Sequence, residues 1–204
     1  MKEGRLSDGT ATEAGGHVYN AVQAKLVLSG TTLQRGKAKL GGGIYNLGNL
    51  TVIGGGLDHN EADFGKAIFN EGELVFKEYA YIDDNNDIFL VVDEADTHAI
   101  HLQSDMKVDL VAVLTPGVQA EEGYAYYYIE GVRLLTGDYV PSSYTRFLVS
   151  PQNGLEWYLT ESGTIVKQLP IYRQPWFYFA LLGCFVVVVT VMVVVVRFFD
   201  NKRA

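Results

Sequence analysis

The short acidic run "DDNND" contains residues that could bind a metal ion. Asp83, Asn85 and Asp87 have the alternating spacing of a calcium-binding loop. An EF-hand loop also needs a glycine at its sharp turn and a distal glutamate, and both are missing here. The run therefore favours a solvated turn over a calcium site.

Two histidines in "THAIH", His98 and His101, are the second candidate for metal chemistry. No cysteine or patterned carboxylate lies near them, as a zinc site would require. On a strand, residues three apart also point to opposite faces. The sequence therefore predicts no metal site and no cofactor.

Composition and charge restrict the class of protein. The 204 residues are 48% hydrophobic with 22 glycines and 5 prolines, which is typical of a chain that folds. The formal net charge is -8, so nucleic acid is not a predicted partner. Cys184 is the only cysteine, and an intrachain disulfide is therefore excluded.

A repeat of about 25 residues organises the first half of the chain. The segments "GGHVYN", "GGGIYN" and "GKAIFN" begin at Gly15, Gly41 and Gly65. The repeat-defining residues are the aromatic residues Tyr19, Tyr45 and Phe69 and the asparagines Asn20, Asn46 and Asn70. A second column, with similar spacing, consists of Leu6, Leu33, Leu57 and Ile82. Periods of this length indicate a solenoid, in which each repeat stacks on the next.

Within each repeat the apolar residues alternate with polar ones. In "GNLTVIGG" Leu50 and Val52 fall on one face, as Leu74 and Phe76 do in "GELVFKE". A period of two predicts strands, and the glycine-rich steps between them predict tight turns. Residues 1–87 are therefore predicted to form a parallel β-helix with about three recognisable coils.

The sequences "GGGIYNLGNLTV" and "GLDHNEADFGKAIFNEGEL" resemble a known family of repeats. They are similar to the "GGAIYN…GTLTI…FxxNxA" repeats of right-handed parallel β-helix surface proteins, including the chlamydial polymorphic membrane protein and adhesin group. The resemblance covers about residues 5–90 and is weaker in the first unit, which lacks an equivalent of Asn60. It implies a secreted or surface-exposed coil stack for adhesion or display, without common catalytic residues.

An enzyme of the β-helix class is the alternative that the resemblance leaves open. β-Helix lyases and hydrolases build their sites from carboxylates and basic residues along one face of several coils. The equivalent positions here are Gln34-Arg35, Asp58-His59 and Asp83-Asp84, an uneven mix without a paired acid and base. Asp63 lies in the same turn region as Asp58. The sequence therefore predicts that the protein is not an enzyme, and it assigns no catalytic residue.

Residues 88–168 are rich in predicted strands but lack the glycine repeat. We interpret them as irregular final coils with a β cap, because the last coil of a solenoid otherwise exposes an unpaired edge. A separate small β-sandwich is the alternative. The tyrosines of "GYAYYYIEG" would form either a binding surface or ordinary strand faces.

The C-terminal region contains a long apolar segment. Residues 176–196 read "WFYFALLGCFVVVVTVMVVVV", and about 20 apolar residues in a helix span a bilayer core. The sequence predicts a linker at 169–175, a transmembrane helix at 176–196 and a basic cytoplasmic tail at 197–204. The predicted membrane-interface residues are Trp176, Tyr178, Arg197, Lys202 and Arg203. The lipid bilayer is therefore a predicted partner.

The arrangement of basic residues around this segment predicts its orientation. Three basic residues follow the segment and two, Lys167 and Arg173, precede it closely, which favours a cytoplasmic C-terminus and an external N-terminal domain. The first 20 residues have no apolar stretch that could serve as a signal peptide. We therefore expect either the C-terminal part of a longer surface protein or a tail-anchored protein that faces inward.

Two other interpretations of the C-terminus are less consistent with its residues. "LPIYR" at Leu169 lacks the Thr-Gly of a sortase sorting signal, and "DNKRA" at the end argues against a lipid-anchor signal. The predicted function is that of a membrane-anchored cell-surface protein for adhesion or display, with an extracellular protein or glycan as its ligand. A membrane-anchored carbohydrate-active β-helix enzyme is the alternative.

Overall fold

The structure, a computed structural model, describes residues 1–93 and 98–167. Its strands form a parallel β-solenoid of about 4 turns, which confirms the predicted all-β solenoid class. Residues Met1–Lys167 form one compact unit. The predicted linker, transmembrane helix and basic tail lie outside the described residues.

Seventeen strands and one short helix are defined in this part of the chain. They are β1 Lys2–Ser7, β2 Val18–Asn20, β3 Lys25–Gln34, β4 Ile44–Asn46, β5 Asn49–Val52, β6 Gly56–Asp58, β7 Ile68–Asn70, β8 Glu73–Phe76, β9 Tyr81–Ile82, β10 Asp87–Val91, β11 Ile100–Leu102, β12 Ala112–Ala120, β13 Gly123–Tyr126, β14 Leu135–Thr136, α1 Val140–Ser143, β15 Phe147–Val149, β16 Tyr158–Leu159 and β17 Ile165–Val166. A single 3-10 turn, Tyr144–Arg146, follows α1.

The first face of the solenoid is the parallel run β2–β4–β7–β10–β12. Its register pairs Ile44 with Ile68 and Ile68 with Ile88, so one isoleucine column faces the core. All three side chains are fully buried. The strands of this face thus continue past residue 87 into the region without the glycine repeat.

The second face is the run β3–β5–β8–β11–β14, and the third joins β1, β3, β6 and β9. The ten-residue strand β3 belongs to both faces. The predicted column of Leu6, Leu33, Leu57 and Ile82 is confirmed by the parallel register of the third face. On the second face, Leu50 pairs with Leu74, and Val52 pairs with Phe76.

Burial of these columns holds the coils together. Leu33, Leu50, Leu74 and Phe76 are completely buried, each between equivalent side chains of neighbouring coils. Full burial of one such side chain contributes roughly 1.5–3 kcal/mol. A single coil has no neighbour to cover it, so the repetition itself generates the core.

Three glycines turn the chain into the first face. Gly15, Gly41 and Gly65 have φ of 67°, 62° and 64°, in the left-handed region that side chains disfavour. Each also lies against backbone of its own coil, so a methyl group on Gly41 would overlap the carbonyl oxygen of Ile44. The repeated glycine is therefore needed for both conformation and space.

The end of the described chain departs from the regular coil. Strand β12 continues through the turn at Glu121 and Glu122 into β13, which returns antiparallel to it. Strand β15 pairs with β12 in parallel, and β16 pairs with β17 as a separate antiparallel ladder. The tyrosine-rich sequence "GYAYYYIEG" is thus extended in a strand only over Gly123–Tyr126.

Candidate functional site

The repeat-defining asparagines form a buried hydrogen-bonded column at one corner of the solenoid. The Asn20 Nδ2 donates to Asn46 Oδ1 at 2.6 Å, and the Asn46 Nδ2 donates to Asn70 Oδ1 at 2.6 Å. The column ends where Leu90 takes the equivalent position, and the Asn70 Nδ2 instead donates to the His98 carbonyl at 3.0 Å. A buried amide without a partner would be costly, and these amides find their partners within the protein. The asparagines therefore have a structural role.

The repeat-defining aromatic residues form a stack on the outside of the same face. The ring centroids of Tyr19 and Tyr45 and those of Tyr45 and Phe69 are each 5.2 Å apart. Phe89 extends the stack at 5.0 Å from Phe69, although it lies outside the repeat. Tyr19 is 55% exposed at one end, whereas Phe69 and Phe89 are fully buried.

The hairpin formed by β12 and β13 covers the buried end of this aromatic stack. The ring of Tyr124 packs edge-on against Phe69 with centroids 4.6 Å apart. The Glu71 carboxylate accepts hydrogen bonds from both the Tyr124 and Tyr45 hydroxyls, the latter at 3.2 Å. Burial, together with the charge of Glu71, raises the pKa of Tyr45 to about 12, and the same causes raise the pKa of Tyr124.

A second asparagine pair, Asn60 and Asn86, was not predicted from the sequence. The Asn60 Nδ2 donates to Asn86 Oδ1 at 3.1 Å, and its Oδ1 accepts from the Gly36 backbone at 2.8 Å. Both asparagines are buried. Their spacing of 26 residues matches the repeat, but the equivalent position in the preceding coil is glycine, so no continuous pattern marks the column.

The residues of the calcium-like run are occupied by contacts within the protein. The Asp83 carboxylate accepts from the Tyr81 hydroxyl at 2.9 Å and from the Asn85 backbone at 3.2 Å. The Asp87 Oδ1 accepts from the Lys66 backbone at 2.9 Å. Burial and the hydrogen bond to Asp83 raise the pKa of Tyr81 to about 12. In residues 1–93 and 98–167, no group of three His, Cys, Asp or Glu side chains could hold a metal ion.

The two candidate histidines have separate neighbours. The His101 Nδ1 lies 3.3 Å from the Thr136 hydroxyl of the adjacent strand. The His98 Nε2 lies 3.6 Å from the Asp93 carboxylate. The two histidine side chains thus contact different residues.

Of the coil positions compared with β-helix enzymes, Gln34 is buried, whereas Arg35, Asp58 and His59 form ion pairs at the surface. Gln34 pairs with Asp58 in the parallel ladder, and His59 contacts the Asp58 carboxylate through Nδ1. Arg35 binds the Asp8 carboxylate through two hydrogen bonds, of 2.7 and 2.9 Å, which hold the pKa of Asp8 below its usual value. Exposed pairs of this kind contribute little stability.

A polar groove of about 430 Å³ lies at the corner between the first and third faces. The turns at residues 62–66 and 84–87 form one wall, and Tyr126, Tyr128 and the loop at residues 150–153 form the other. Its volume falls in the range of ligand pockets, roughly 300–1,000 Å³. Asp63, Asp87 and Tyr126 all line it, and burial together with the negative charges of Asp87 and Asp63 raises the pKa of Tyr126.

The floor of the groove contains a fixed group of hydroxyls. The Thr115 Oγ1 donates to the Ser150 Oγ at 3.1 Å, and Thr115 is buried. Burial raises the pKa of Tyr128, whose hydroxyl lies near both residues. The sequence singled out the tyrosines of "GYAYYYIEG", but it did not connect them with Asp63 and Asp87 because no repeat or motif relates the two regions.

The predicted membrane-interface residues Trp176, Tyr178, Arg197, Lys202 and Arg203 lie outside the described residues. Among the helices that the structure describes, none is long and apolar enough to cross a bilayer.

Comparison with known proteins does not identify the chain. No protein-family model matches it, and no curated protein or solved structure does so either.

Proposed function

We propose that this chain is a cell-surface adhesion or display protein that works by binding. The apolar segment at residues 176–196 would anchor it in a membrane, with the solenoid outside and the C-terminus in the cytoplasm. The stacked coils would present their polar faces away from the bilayer. The extracellular partner would be a protein or a glycan. The proposal also includes a right-handed coil, as in the surface proteins that the repeats resemble.

The groove beside Tyr126 is the observation that carries this proposal. It is large enough for a ligand, and Tyr126 in its wall is 51% exposed. Its outer wall is built from the hairpin and the loop at residues 150–153 rather than from the repeated coil. The groove therefore depends on the part of the chain that departs from the regular coil.

A comparison of cell retention tests the binding function. Cells that carry the native gene with its upstream DNA are compared in a flow cell with cells from which the gene is deleted. Surfaces are coated with host glycoproteins, purified glycans or albumin. We expect gene-dependent retention on at least one coat other than albumin. Equal retention of both cell types on every coat would contradict adhesion.

A membrane-anchored carbohydrate-active enzyme is the second candidate, and two groove carboxylates favour it. Asp63 and Asp87 both lie in the groove, and carboxylate pairs are the usual catalytic groups of glycoside hydrolysis. Release of new reducing ends from a polysaccharide by the full-length chain would support the enzyme. The double variant Asp63→Asn with Asp87→Asn should then abolish the release.

A further inference from the structure

The groove's ligand class follows from the arrangement of side chains in its walls. Most lining residues carry a polar side-chain group, and only Ala62, Val113 and Pro151 do not. An apolar peptide anchor needs a pocket lined predominantly by hydrophobic side chains, and this lining differs from that. A ligand rich in hydroxyl groups matches it better.

Tyr126 supplies the apolar surface that such a ligand also needs. Its ring packs on Phe64 with centroids 5.5 Å apart, so its position is supported from within the protein. The side chain nevertheless remains 51% exposed and lines the groove. A tyrosine ring combines a rigid apolar face with a polar tip, which suits the C–H face and hydroxyl rim of a sugar ring.

The second tyrosine adds fixed hydrogen-bonding groups to the site. Thr115 is hydrogen-bonded to Ser150, and Tyr128 beside them contacts the ring of Trp157 with centroids 5.5 Å apart. These hydroxyls are already positioned, so a ligand would lose little free energy in ordering them. Asn153 and Gln152 from the neighbouring loop add amide groups that both donate and accept.

The charge of the groove restricts which sugars can enter it. Asp63, Asp84 and Asp87 carry negative charges and Lys66 carries one positive charge, which leaves an excess of two negative charges. The whole chain is also acidic, at -8. Like charges repel a partner and opposite charges attract it, so an acidic glycan is disfavoured and an amino sugar is favoured.

We infer that this groove binds a short glycan of neutral or amino sugars, stacked on Tyr126 and hydrogen-bonded to the carboxylates and to the fixed hydroxyls. This inference deepens the proposed function and rests on it, because it names the class of ligand that the displayed groove would bind.

Binding of defined trisaccharides to the full-length chain in detergent micelles tests the inference. The probes are a trimer of N-acetylglucosamine, a trimer of glucosamine and a trimer of galacturonic acid, measured by calorimetry at low salt. We expect binding of at least one of the first two and at least tenfold weaker binding of the acidic trimer. Preferential binding of the acidic trimer, or no binding of any probe, would overturn the inference.

Two groove variants test whether the ligand binds in this groove, and a third variant serves as the control. Tyr126→Ala should weaken binding at least tenfold, whereas the matched control Tyr79→Ala removes a tyrosine that is 58% exposed elsewhere and should leave affinity unchanged. Asp63→Asn changes an exposed carboxylate and should weaken binding of the glucosamine trimer about two- to fivefold, a loss of the size expected for one exposed charge contact. Equal affinity of the wild type and both groove variants would overturn the assignment to this groove.

The outcomes of this experiment separate the two levels of the proposal. Failure of every probe would remove the glycan class, while surface display and cell retention would still test the proposed function. Cleavage of a bound neutral trimer, seen as shorter products by mass spectrometry, would support the ligand class and overturn a function limited to binding.

Discussion

At the scale of single residues, the buried repeat asparagines of this protein are paired with equivalent asparagines of the neighbouring coils. Asn46 is fully buried and lies between Asn20 and Asn70, which pair with its two side-chain polar atoms. The carboxylate of Glu71 does the same for the two tyrosine hydroxyls that meet at the hairpin. The repeat thus places hydrogen-bonding partners, as well as apolar side chains, at equivalent positions of neighbouring coils.

Removing the central asparagine should destabilise the fold strongly. Asn46→Ala leaves the Asn20 amide, the Asn70 carbonyl oxygen and the Glu73 carbonyl without this partner. Each unpaired buried group costs about 1–3 kcal/mol, so we expect a loss of about 3 kcal/mol in the free energy of unfolding. Denaturant titration measures this free energy.

Asn49→Ala, at an exposed position of the same coil, is the control and should change the free energy of unfolding by less than about 0.5 kcal/mol. Equal losses for the two variants would contradict the role of the column.

Ionisation of Tyr45 predicts a loss of stability in alkali. The pKa of Tyr45 rises from 10.0 to about 12 in the folded protein, so the neutral form is favoured there. Its contribution is complete below pH 10 and is lost as the pH rises through about 12, because the unfolded chain releases the proton first. Tyr45→Phe should reduce this alkaline loss by on the order of 1 kcal/mol, since solvent partly screens the hydroxyl.

Unfolding free energies between pH 9 and pH 12 measure this effect. Tyr79→Phe, which alters an exposed tyrosine outside the stack, is the control and should leave the alkaline loss as it is in the wild type. An identical pH profile for Tyr45→Phe and the wild type would show that Tyr45 does not contribute.

At the scale of elements, the repeated turns fix where each coil begins. Gly41 has φ of 62° and lies against the carbonyl of Ile44, so both its conformation and its lack of a side chain matter. Gly15 and Gly65 repeat this geometry one coil on either side. The spacing of these turns is what keeps the columns in register.

Substitution of a turn glycine should separate the two reasons for its presence. Gly41→Ala should cost more than the roughly 1–2 kcal/mol of left-handed backbone alone, because the new methyl group also overlaps the Ile44 carbonyl. Gly131→Ala is the matched control, since its φ is 89° and a methyl group there meets no atom within 4 Å. Thermal unfolding should therefore show a larger loss for Gly41→Ala. Equal losses would mean that the close contact is not important.

Elements also differ in how far the sequence predicts them. The period of two and the spacing of Tyr19, Tyr45 and Phe69 predict the strands and their register, because equivalent positions in a solenoid must stack. The hairpin contact between Glu71 and Tyr124 joins residues 53 apart in the chain, outside any repeat. No local pattern encodes a pairing of that kind, so the groove that depends on the hairpin was not predicted.

At the scale of the whole molecule, the regular coils form a stack, and the turns of that stack line a polar groove together with the irregular end of the described chain. The aromatic stack joins the two, because Phe69 and Phe89 belong to the coils and Tyr124 and Tyr126 belong to the hairpin that packs on them. Under the proposed function, this groove would be the ligand-binding site. The predicted apolar segment at residues 176–196 would hold that site at a membrane surface.

Protease access to an epitope on intact cells tests this account most directly. The epitope is inserted between Glu121 and Glu122, at the exposed tip of the hairpin, in the native gene with its upstream DNA. The surface-display account predicts that external protease removes the epitope from intact cells and that the tagged product remains with the membrane fraction. Protection in intact cells with cleavage after lysis would show that the solenoid faces inward and would contradict the account.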